Sequence, residues 1–222
     1  VPKGSGVYQH AFINLMTWWN HEFAIGVADR NLLINKMSFD LAQKNIWGAL
    51  LTGGELHLDT AERFDPNVVC EYVQVAGITW INTTPSMAYA MVEASAGDYS
   101  ALSSLTRLFL GGEPVNKTRL APWLLHQQTQ AELINTYGPT ESTDLCCVHR
   151  FQRVEFEQLA RPVSVGRVLP NIRVHILDRF GNVLPVGVSG EVVIGETSVG
   201  IGYLNDPALT AERFIPDPVS DT

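Results

Sequence analysis

A polar heptad at residues 135–141 holds the residue types in this chain that are best suited to ligand binding or catalysis. It reads Asn-Thr-Tyr-Gly-Pro-Thr-Glu and follows a largely apolar run at residues 131–134. Turns at the carboxyl ends of strands are where α/β proteins bind ligands. The ring of Tyr137 could stack on a base, the hydroxyl of Thr140 could contact a phosphate, and the carboxylate of Glu141 could bind a divalent cation. The same residues are also compatible with an ordinary turn followed by a helix cap.

Three further turns carry residues suited to ligand binding. The loop at residues 2–6 reads Pro-Lys-Gly-Ser-Gly, so its backbone and Lys3 could approach a phosphate. Asp40 stands at a strand-to-helix junction, and the segment 111–113, Gly-Gly-Glu, follows a strand and would allow close approach to a planar ring. The alternatives are a solvated terminus for the first loop and a simple helix cap for Asp40.

The surrounding elements alternate between helix and strand patterns. Apolar spacing and capping residues predict helices at 11–23, 40–51, 65–76, 84–95 and 117–127. Apolar runs predict strands at 31–37, 55–58, 78–82, 107–110 and 131–134. This alternation predicts an α/β fold, with a largely parallel sheet covered by helices on both faces.

The last third of the chain has a different pattern. Short strands at 172–177 and 191–194, with a Phe-Gly-Asn turn at 180–182, predict a small antiparallel, β-barrel-like subdomain. We therefore predict an α/β subdomain at residues 1–147 and an incomplete β-rich subdomain at residues 148–222.

Composition excludes several classes of function. The 222 residues carry a net charge of −8, which argues against nucleic-acid binding because that depends on clustered Lys and Arg. No run approaches the roughly 20 apolar residues that span a membrane, so no membrane association is predicted. The cysteines, Cys70, Cys146 and Cys147, form neither a disulfide framework nor a zinc motif, which indicates reduced thiols in a cytoplasmic protein.

Taken together, the motifs resemble the adenylate-forming superfamily, and more narrowly the amino-acid adenylation domains of nonribosomal peptide synthetases. Besides the heptad, four segments follow the family's order: Pro2-Lys3-Gly4, Phe39-Asp40-Leu41, Leu110-Gly111-Gly112-Glu113, and the run 190–194 continuing to Gly202-Tyr203-Leu204. The segment 205–214 is also similar. The resemblance implies part of the large N-terminal domain of these enzymes, with the amino-acid and ATP sites in residues 1–147.

The resemblance also implies a reaction. ATP and an amino acid give an aminoacyl adenylate and pyrophosphate, and the aminoacyl group then passes to a phosphopantetheine thiol. Carrier and condensation domains of the same synthetase are the implied partners. Thr140 and Glu141 match catalytic residues, with Glu141 as the Mg²⁺ ligand. The implied nucleotide-binding residues are Lys3, Gly4, Gly111, Gly112, Glu113, Asn135, Thr136, Tyr137, Gly138 and Thr140.

By resemblance, Asp40 pairs with the α-amino group of the substrate. A fixed carboxylate suits this role because an ammonium that leaves water needs a charged partner. The other implied pocket residues are Leu41, Lys44, Asn82, Phe109, Gly111, Thr136, Asp144 and Leu145. We predict a polar or acidic substrate side chain, since a buried Lys44 needs either Asp144 or an acidic substrate as its partner. In the alternative, Lys44 extends to solvent.

Some features depart from the family pattern. The first loop carries an extra residue before Val7, and residues 198–202 replace the usual Ala-Arg-Gly run. The family's ribose-binding aspartate and catalytic lysine domain would follow residue 222, so the chain alone is expected to have little adenylation activity. Two alternatives stay open: an adenylate-forming ligase of acyl or aryl acids, and a non-catalytic domain that retains the fold.

Overall fold

The structure is a computed structural model that describes residues 3–217 and 219. Pro2, the first residue of the lysine-glycine motif, lies outside the described residues. Within them the helices are α1 (Gln9–Glu22), α2 (Leu41–Thr52), α3 (Pro66–Ala76), α4 (Pro85–Ala94), α5 (Lys117–Leu124) and α6 (Pro207–Arg213). The strands are β1 (Ser5–Gly6), β2 (Arg30–Leu33), β3 (Glu55–Leu58), β4 (Trp80–Thr83), β5 (Arg107–Gly111), β6 (Glu132–Tyr137), β7 (Cys147–Arg150), β8 (Arg167–Val168), β9 (Ile172–Leu177), β10 (Glu191–Glu196) and β11 (Gly202–Tyr203).

A seven-stranded sheet runs in the order β3-β2-β4-β5-β6-β7-β8. The pairs from β3 to β6 are parallel, and helices α2 to α5 provide the crossovers that parallel neighbours require. Two antiparallel pairs, β1–β11 and β9–β10, stand outside this sheet. The predicted fold class, a largely parallel sheet with flanking helices followed by small antiparallel strands, is confirmed.

Local capping explains where the helices begin and end. Asp65 accepts a hydrogen bond from the backbone N–H of Asn67, and Pro66 occupies the first position of α3. The helix ends at Gly77, whose φ of +64° is a left-handed conformation that glycine adopts without strain. At the start of α2, Asp40 accepts a hydrogen bond from the backbone N–H of Leu41, and the helix ends at Gly53 with a φ of +78°. These caps agree with the sequence prediction.

Three predicted boundaries are wrong by three residues or more. Strand β2 stops at Leu33 rather than continuing to residue 37, and α5 stops at Leu124 rather than at residue 127. Strand β6 extends through Tyr137, whereas the prediction ended it at Ile134. The extension follows from sheet pairing, because the ladder between β5 and β6 continues to Gly111 opposite Thr136.

The chain divides into two compact units. The larger unit holds Trp19–Tyr137 and Val148–Arg167, and its core includes Val73, Ile81 and Met91. Burial of such a side chain stabilises a fold by about 1.5–3 kcal/mol. The smaller unit holds the residues up to Trp18, Gly138–Cys147 and the residues from Val168 on. The subdomain division after residue 147 stays a prediction.

Across residues 3–217 and 219, none of the helices combines the length and the apolar character that crossing a membrane requires.

Candidate functional site

The predicted site residues fall into both units. The smaller unit holds Lys3, Gly4, Gly138, Thr140, Glu141, Asp144 and Leu145. The larger unit holds Asp40, Leu41, Lys44, Asn82, Phe109, Gly111, Gly112, Glu113, Asn135, Thr136 and Tyr137.

In the larger unit, buried amides join the first turn of α2 to strand β4. The Asn82 Nδ2 donates to the carbonyl of Leu41 at 3.1 Å. The Asn45 Nδ2 donates to the carbonyls of Leu41 at 2.9 Å and Asn82 at 3.3 Å. Asn31 in turn donates to the carbonyl of Asn45 at 2.6 Å. The structure therefore brings Leu41 and Asn82 together, both directly and through Asn45. Asn45 was missed in the sequence analysis, although an asparagine inside an apolar helix was a visible signal.

Lys44 is fully buried, so the alternative in which it extends to solvent is wrong. Its Nζ lies 5.5 Å from the centroid of the Trp19 ring, within reach of a cation–π interaction. Phe109 packs against the same Trp19 ring with a centroid distance of 4.3 Å. Burying a lysine ammonium costs free energy unless charged or aromatic groups compensate it. A fully buried lysine is therefore unusual, and it marks position 44 as a candidate for a specific role.

Asp40 acts as the N-cap of α2. Its Oδ1 accepts a hydrogen bond from the backbone N–H of Leu41 at 2.9 Å. The capping interpretation of Asp40 is thus confirmed. A carboxylate has about four acceptor sites, so capping does not exhaust its capacity to bind other donors.

The ends of β5 and β6 meet at a glycine that packing requires. A Cβ on Gly111 would lie 2.6 Å from Thr136 Oγ1, whose hydroxyl donates to the carbonyl of Leu110 at 3.0 Å. Gly112 follows with a φ of +83°. The space beside Gly111 is therefore filled by the side chains of Thr136 and Leu41, whereas Gly112 is exposed.

Three other predicted nucleotide-binding residues have distinct surroundings. Glu113 accepts a hydrogen bond from the backbone N–H of Ser86 at 3.1 Å, at the start of α4. Asn135 is buried, and its Nδ2 donates to the carbonyl of Ser164 at 3.0 Å. Tyr137 is 37% exposed at the end of β6. Of these three, Glu113 and Tyr137 are exposed and Asn135 is buried.

In the smaller unit, three motif segments meet at Tyr203. The Tyr203 hydroxyl donates to Glu141 Oε1. This hydrogen bond, together with burial and the negative charge of Glu141, raises the pKa of Tyr203 to about 12, so the phenol stays a donor at neutral pH. Lys3 Nζ lies 5.4 Å from the centroid of the Tyr203 ring, and Ser5 pairs with Tyr203 between β1 and β11. Tyr203 was placed in the motif Gly202-Tyr203-Leu204 in the sequence analysis but was not predicted as a site residue.

Gly138 of the heptad has a packing role. A Cβ at this position would lie 2.4 Å from Leu145 Cα and 2.8 Å from the carbonyl oxygen of Asp144. Asp144 itself has a φ of +75°, a left-handed conformation. Glycine at 138 therefore lets the backbone that carries these two predicted pocket residues pass close by.

A cleft of about 610 Å³ opens beside Glu141, and its lining includes Pro139, His175, Val193 and Phe214. Among residues 3–217 and 219, no group of three or more His, Cys, Asp and Glu side chains is arranged to hold a metal ion. Mg²⁺ commonly binds through one or two carboxylates together with substrate phosphates. A single carboxylate at the edge of a cleft fits that mode of binding.

A family model described as an AMP-binding enzyme matches residues 1–204. The chain belongs to the AMP-binding enzyme family. It is similar to surfactin synthase subunit 2 of Bacillus subtilis (strain 168), at 33% identity over 221 residues, covering 99% of the chain and 6% of that protein. It is 35% identical over 225 residues to malpibaldin synthetase of Mortierella alpina, covering 100% of the chain and 4% of that protein. The resemblance drawn from the motifs is confirmed.

Solved structures of two proteins share this fold. The nonribosomal peptide synthetase FmoA3 superposes with a TM-score of 0.91 at 25% identity, over 99% of this chain and 24% of that one. The form of FmoA3 bound to alpha-methyl-L-serine-AMP gives 0.87 at 25% identity, over 97% and 24%. The Klebsiella oxytoca NpsA N-terminal subdomain, in complex with 3-hydroxyanthranilyl-AMSN, gives 0.81 at 25% identity, over 96% and 53%. The chain thus spans a small part of the curated relatives and about half of the NpsA subdomain.

Proposed function

We propose that the chain is part of an amino-acid adenylation domain, which forms aminoacyl-AMP and pyrophosphate from an amino acid and ATP. The observation that carries this proposal is the carboxylate of Asp40, fixed at the first turn of α2, where Leu41 and Asn82 are joined. A fixed carboxylate is a suitable partner for the α-ammonium of an amino acid. The similarity to FmoA3 in its alpha-methyl-L-serine-AMP form supports the same reaction.

The remaining residues have complementary roles in the proposal. Tyr137 stacks on the adenine ring with its exposed face. Lys3 and Thr140 contact the phosphates, where an ammonium and a hydroxyl offset negative charge. Glu141 is the residue that would hold Mg²⁺, which when bound neutralises phosphate charge. Transfer to the phosphopantetheine thiol of a carrier domain, with a condensation domain downstream of that step, completes the proposed role, and the multidomain relatives support it.

We further propose a polar or acidic side chain for the amino-acid substrate. Lys44 is fully buried on the helix that Asp40 caps, and Asn82 is buried on the strand bonded to that helix. Thr136 and Asp144 are also buried or partly buried polar residues. A buried ammonium is better compensated by an anionic or polar ligand than by an aliphatic one.

Amino-acid-dependent pyrophosphate exchange by the full-length protein that carries this chain tests the proposal. We expect exchange with polar or acidic amino acids, and at least about a hundredfold less with Asp40→Asn because an uncompensated ammonium costs several kcal/mol. Asp59→Asn serves as the matched control and should retain activity, because Asp59 is a half-buried aspartate that also accepts a hydrogen bond from a backbone N–H. Preference for large aliphatic or aromatic amino acids would refute the substrate class.

A second candidate function is an adenylate-forming ligase of aryl acids. The similarity to NpsA in complex with 3-hydroxyanthranilyl-AMSN favours it. The same exchange assay with a series of hydroxybenzoates distinguishes the two. An aryl-acid ligase should accept substrates without an amine and should tolerate Asp40→Asn.

A further inference from the structure

Tyr203 is held in place by contacts on several sides. Its backbone N–H donates to Thr210 Oγ1 at 2.9 Å, within the first turns of α6. Its ring packs edge-on against Phe214, with 5.6 Å between centroids. On the strand side, β11 pairs with β1, which places Ser5 opposite Tyr203. A side chain confined in this way has little rotamer freedom left to lose when it forms a hydrogen bond.

The segment that carries Tyr203 contacts Glu141 through both backbone and side chain. The carbonyl of Glu141 accepts a hydrogen bond from the N–H of Gly200 at 2.8 Å. A Cβ on Gly200 would lie 2.6 Å from the carbonyl oxygen of Gly6 and 3.0 Å from that of Glu141, so this approach requires glycine. The Tyr203 hydroxyl then bonds the carboxylate of the same glutamate. Backbone and carboxylate of Glu141 are therefore both fixed by residues 200–203.

We propose that Tyr203 is a positioning residue that orients the carboxylate of Glu141 for a divalent cation bound together with a nucleotide. This inference rests on the proposed function. The phenol occupies one of the acceptor sites of the carboxylate and leaves the others for a cation at the cleft. A carboxylate that is already oriented loses less entropy when it binds metal, and residues that hold metal ligands commonly contribute 10–100-fold in affinity.

The test measures Mn²⁺ binding to the full-length protein in the presence of AMPPNP, by electron paramagnetic resonance of the free ion. We expect Tyr203→Phe to weaken Mn²⁺ binding about tenfold. The affinity for AMPPNP in EDTA, measured by calorimetry, should stay within about twofold. Tyr72→Phe is the matched control, because it also removes a hydroxyl hydrogen-bonded to a titratable side chain, His57, and it should change neither value.

A double-mutant cycle separates positioning from general stabilisation. If Tyr203 acts through the carboxylate, Tyr203→Phe should have no further effect on Mn²⁺ binding in a Glu141→Gln protein. If Tyr203→Phe fails to fold by circular dichroism, Tyr203→His, which keeps a ring donor, takes its place and should retain more Mn²⁺ affinity than Tyr203→Leu.

Unchanged Mn²⁺ affinity in Tyr203→Phe, or an equal loss in the Glu141→Gln background, would overturn the inference. These results are distinguishable from failure of the proposed function. If the wild-type protein binds Mn²⁺ and AMPPNP and responds to Tyr203→Phe as expected, yet shows no amino-acid-dependent exchange, then the amino-acid adenylation proposal fails while the positioning role stands. If the wild-type protein binds no Mn²⁺ with AMPPNP, both fail.

Discussion

The side-chain amide of Asn82 donates a hydrogen bond to the backbone carbonyl of Leu41, 3.1 Å away. Asn45 reinforces this connection with two further hydrogen bonds, to the same carbonyl and to the carbonyl of Asn82. All three residues are buried, so water cannot replace these bonds. The first turn of α2 and strand β4 are therefore expected to move as one piece.

The first prediction concerns Asn45. Replacement by alanine removes two buried hydrogen bonds, and we expect the free energy of unfolding to fall by about 1–3 kcal/mol. Urea unfolding measures the change. Asn67→Ala, in an exposed first turn of a helix, should change the same quantity by less than about 0.5 kcal/mol. Equal stabilities for both variants would contradict the role of Asn45.

The second prediction concerns Gly138. A Cβ there would clash with backbone atoms of residues 144–146, which cannot rotate away as a flexible side chain would. We expect Gly138→Ala to destabilise the fold by more than about 2 kcal/mol. Gly26→Ala is the matched control because a Cβ at Gly26 meets no atom within 4 Å. Thermal unfolding of the two variants should differ by several degrees, and coincident melting curves would refute the clash.

A third prediction follows from the ion pair of Asp29 and Arg107, whose Oδ1 and guanidinium nitrogen lie 2.8 Å apart with both side chains largely buried. Removing the charge with Asp29→Asn leaves a buried guanidinium without its counter-ion, and we expect a loss of about 3 kcal/mol or more. The exposed pair of Glu93 and Arg119 provides the contrast. Glu93→Gln should cost less than about 1 kcal/mol in the same chemical denaturation experiment.

The fourth prediction is a pH dependence at Glu155. Burial alone would raise the pKa of this carboxyl, but the hydrogen bond from the N–H of Gln152 and the nearby His149 outweigh it and hold the pKa below its ordinary value. The charged form therefore stabilises the fold above the unfolded-state pKa of about 4.3, and this contribution is lost as the pH falls through the lower folded-state value.

Glu155→Gln keeps an acceptor but removes the charge. We expect it to be less stable than the wild type by about 1 kcal/mol at pH 7, because a hydrogen bond to a charged acceptor is stronger than one to a neutral acceptor. The difference should shrink towards zero near pH 3. A difference that stays constant between pH 7 and pH 3 in urea unfolding would show that the charge of Glu155 has no such role.

Helix-capping residues and the spacing of apolar residues made much of the fold predictable. Asp65 and Pro66 mark the start of α3 in the sequence, and the structure uses Asp65 as the N-cap and Pro66 as the first helical residue. The pairing of Ser5 with Tyr203 could not be predicted, because nothing local relates residues almost 200 positions apart. The end of β6 depended in the same way on its neighbour β5, since pairing with Gly111 extends the strand to Thr136 and beyond.

Residue type alone suggests chemistry for Asp40 and Glu141, and their roles in a site stay predictions. The tertiary contacts of the candidate site residues could not be predicted from the sequence. The burial of Lys44 depends on the aromatic cluster that includes Trp19, which is 25 positions earlier and reaches it through tertiary packing. The bond between Tyr203 and Glu141 likewise depends on two strands that meet from opposite ends of the chain.

Under the proposed metal-binding role of Glu141, we expect Gly138 and Glu141 of the same heptad to be under different kinds of selection. Gly138 is required by the backbone beside it, so a gene copy that had lost its catalysis would keep this glycine for as long as its product folded. Glu141 reaches a cleft, where glutamine would fill a similar volume. The residue type at position 141 should therefore indicate better than the one at position 138 whether a related gene copy still encodes an active enzyme.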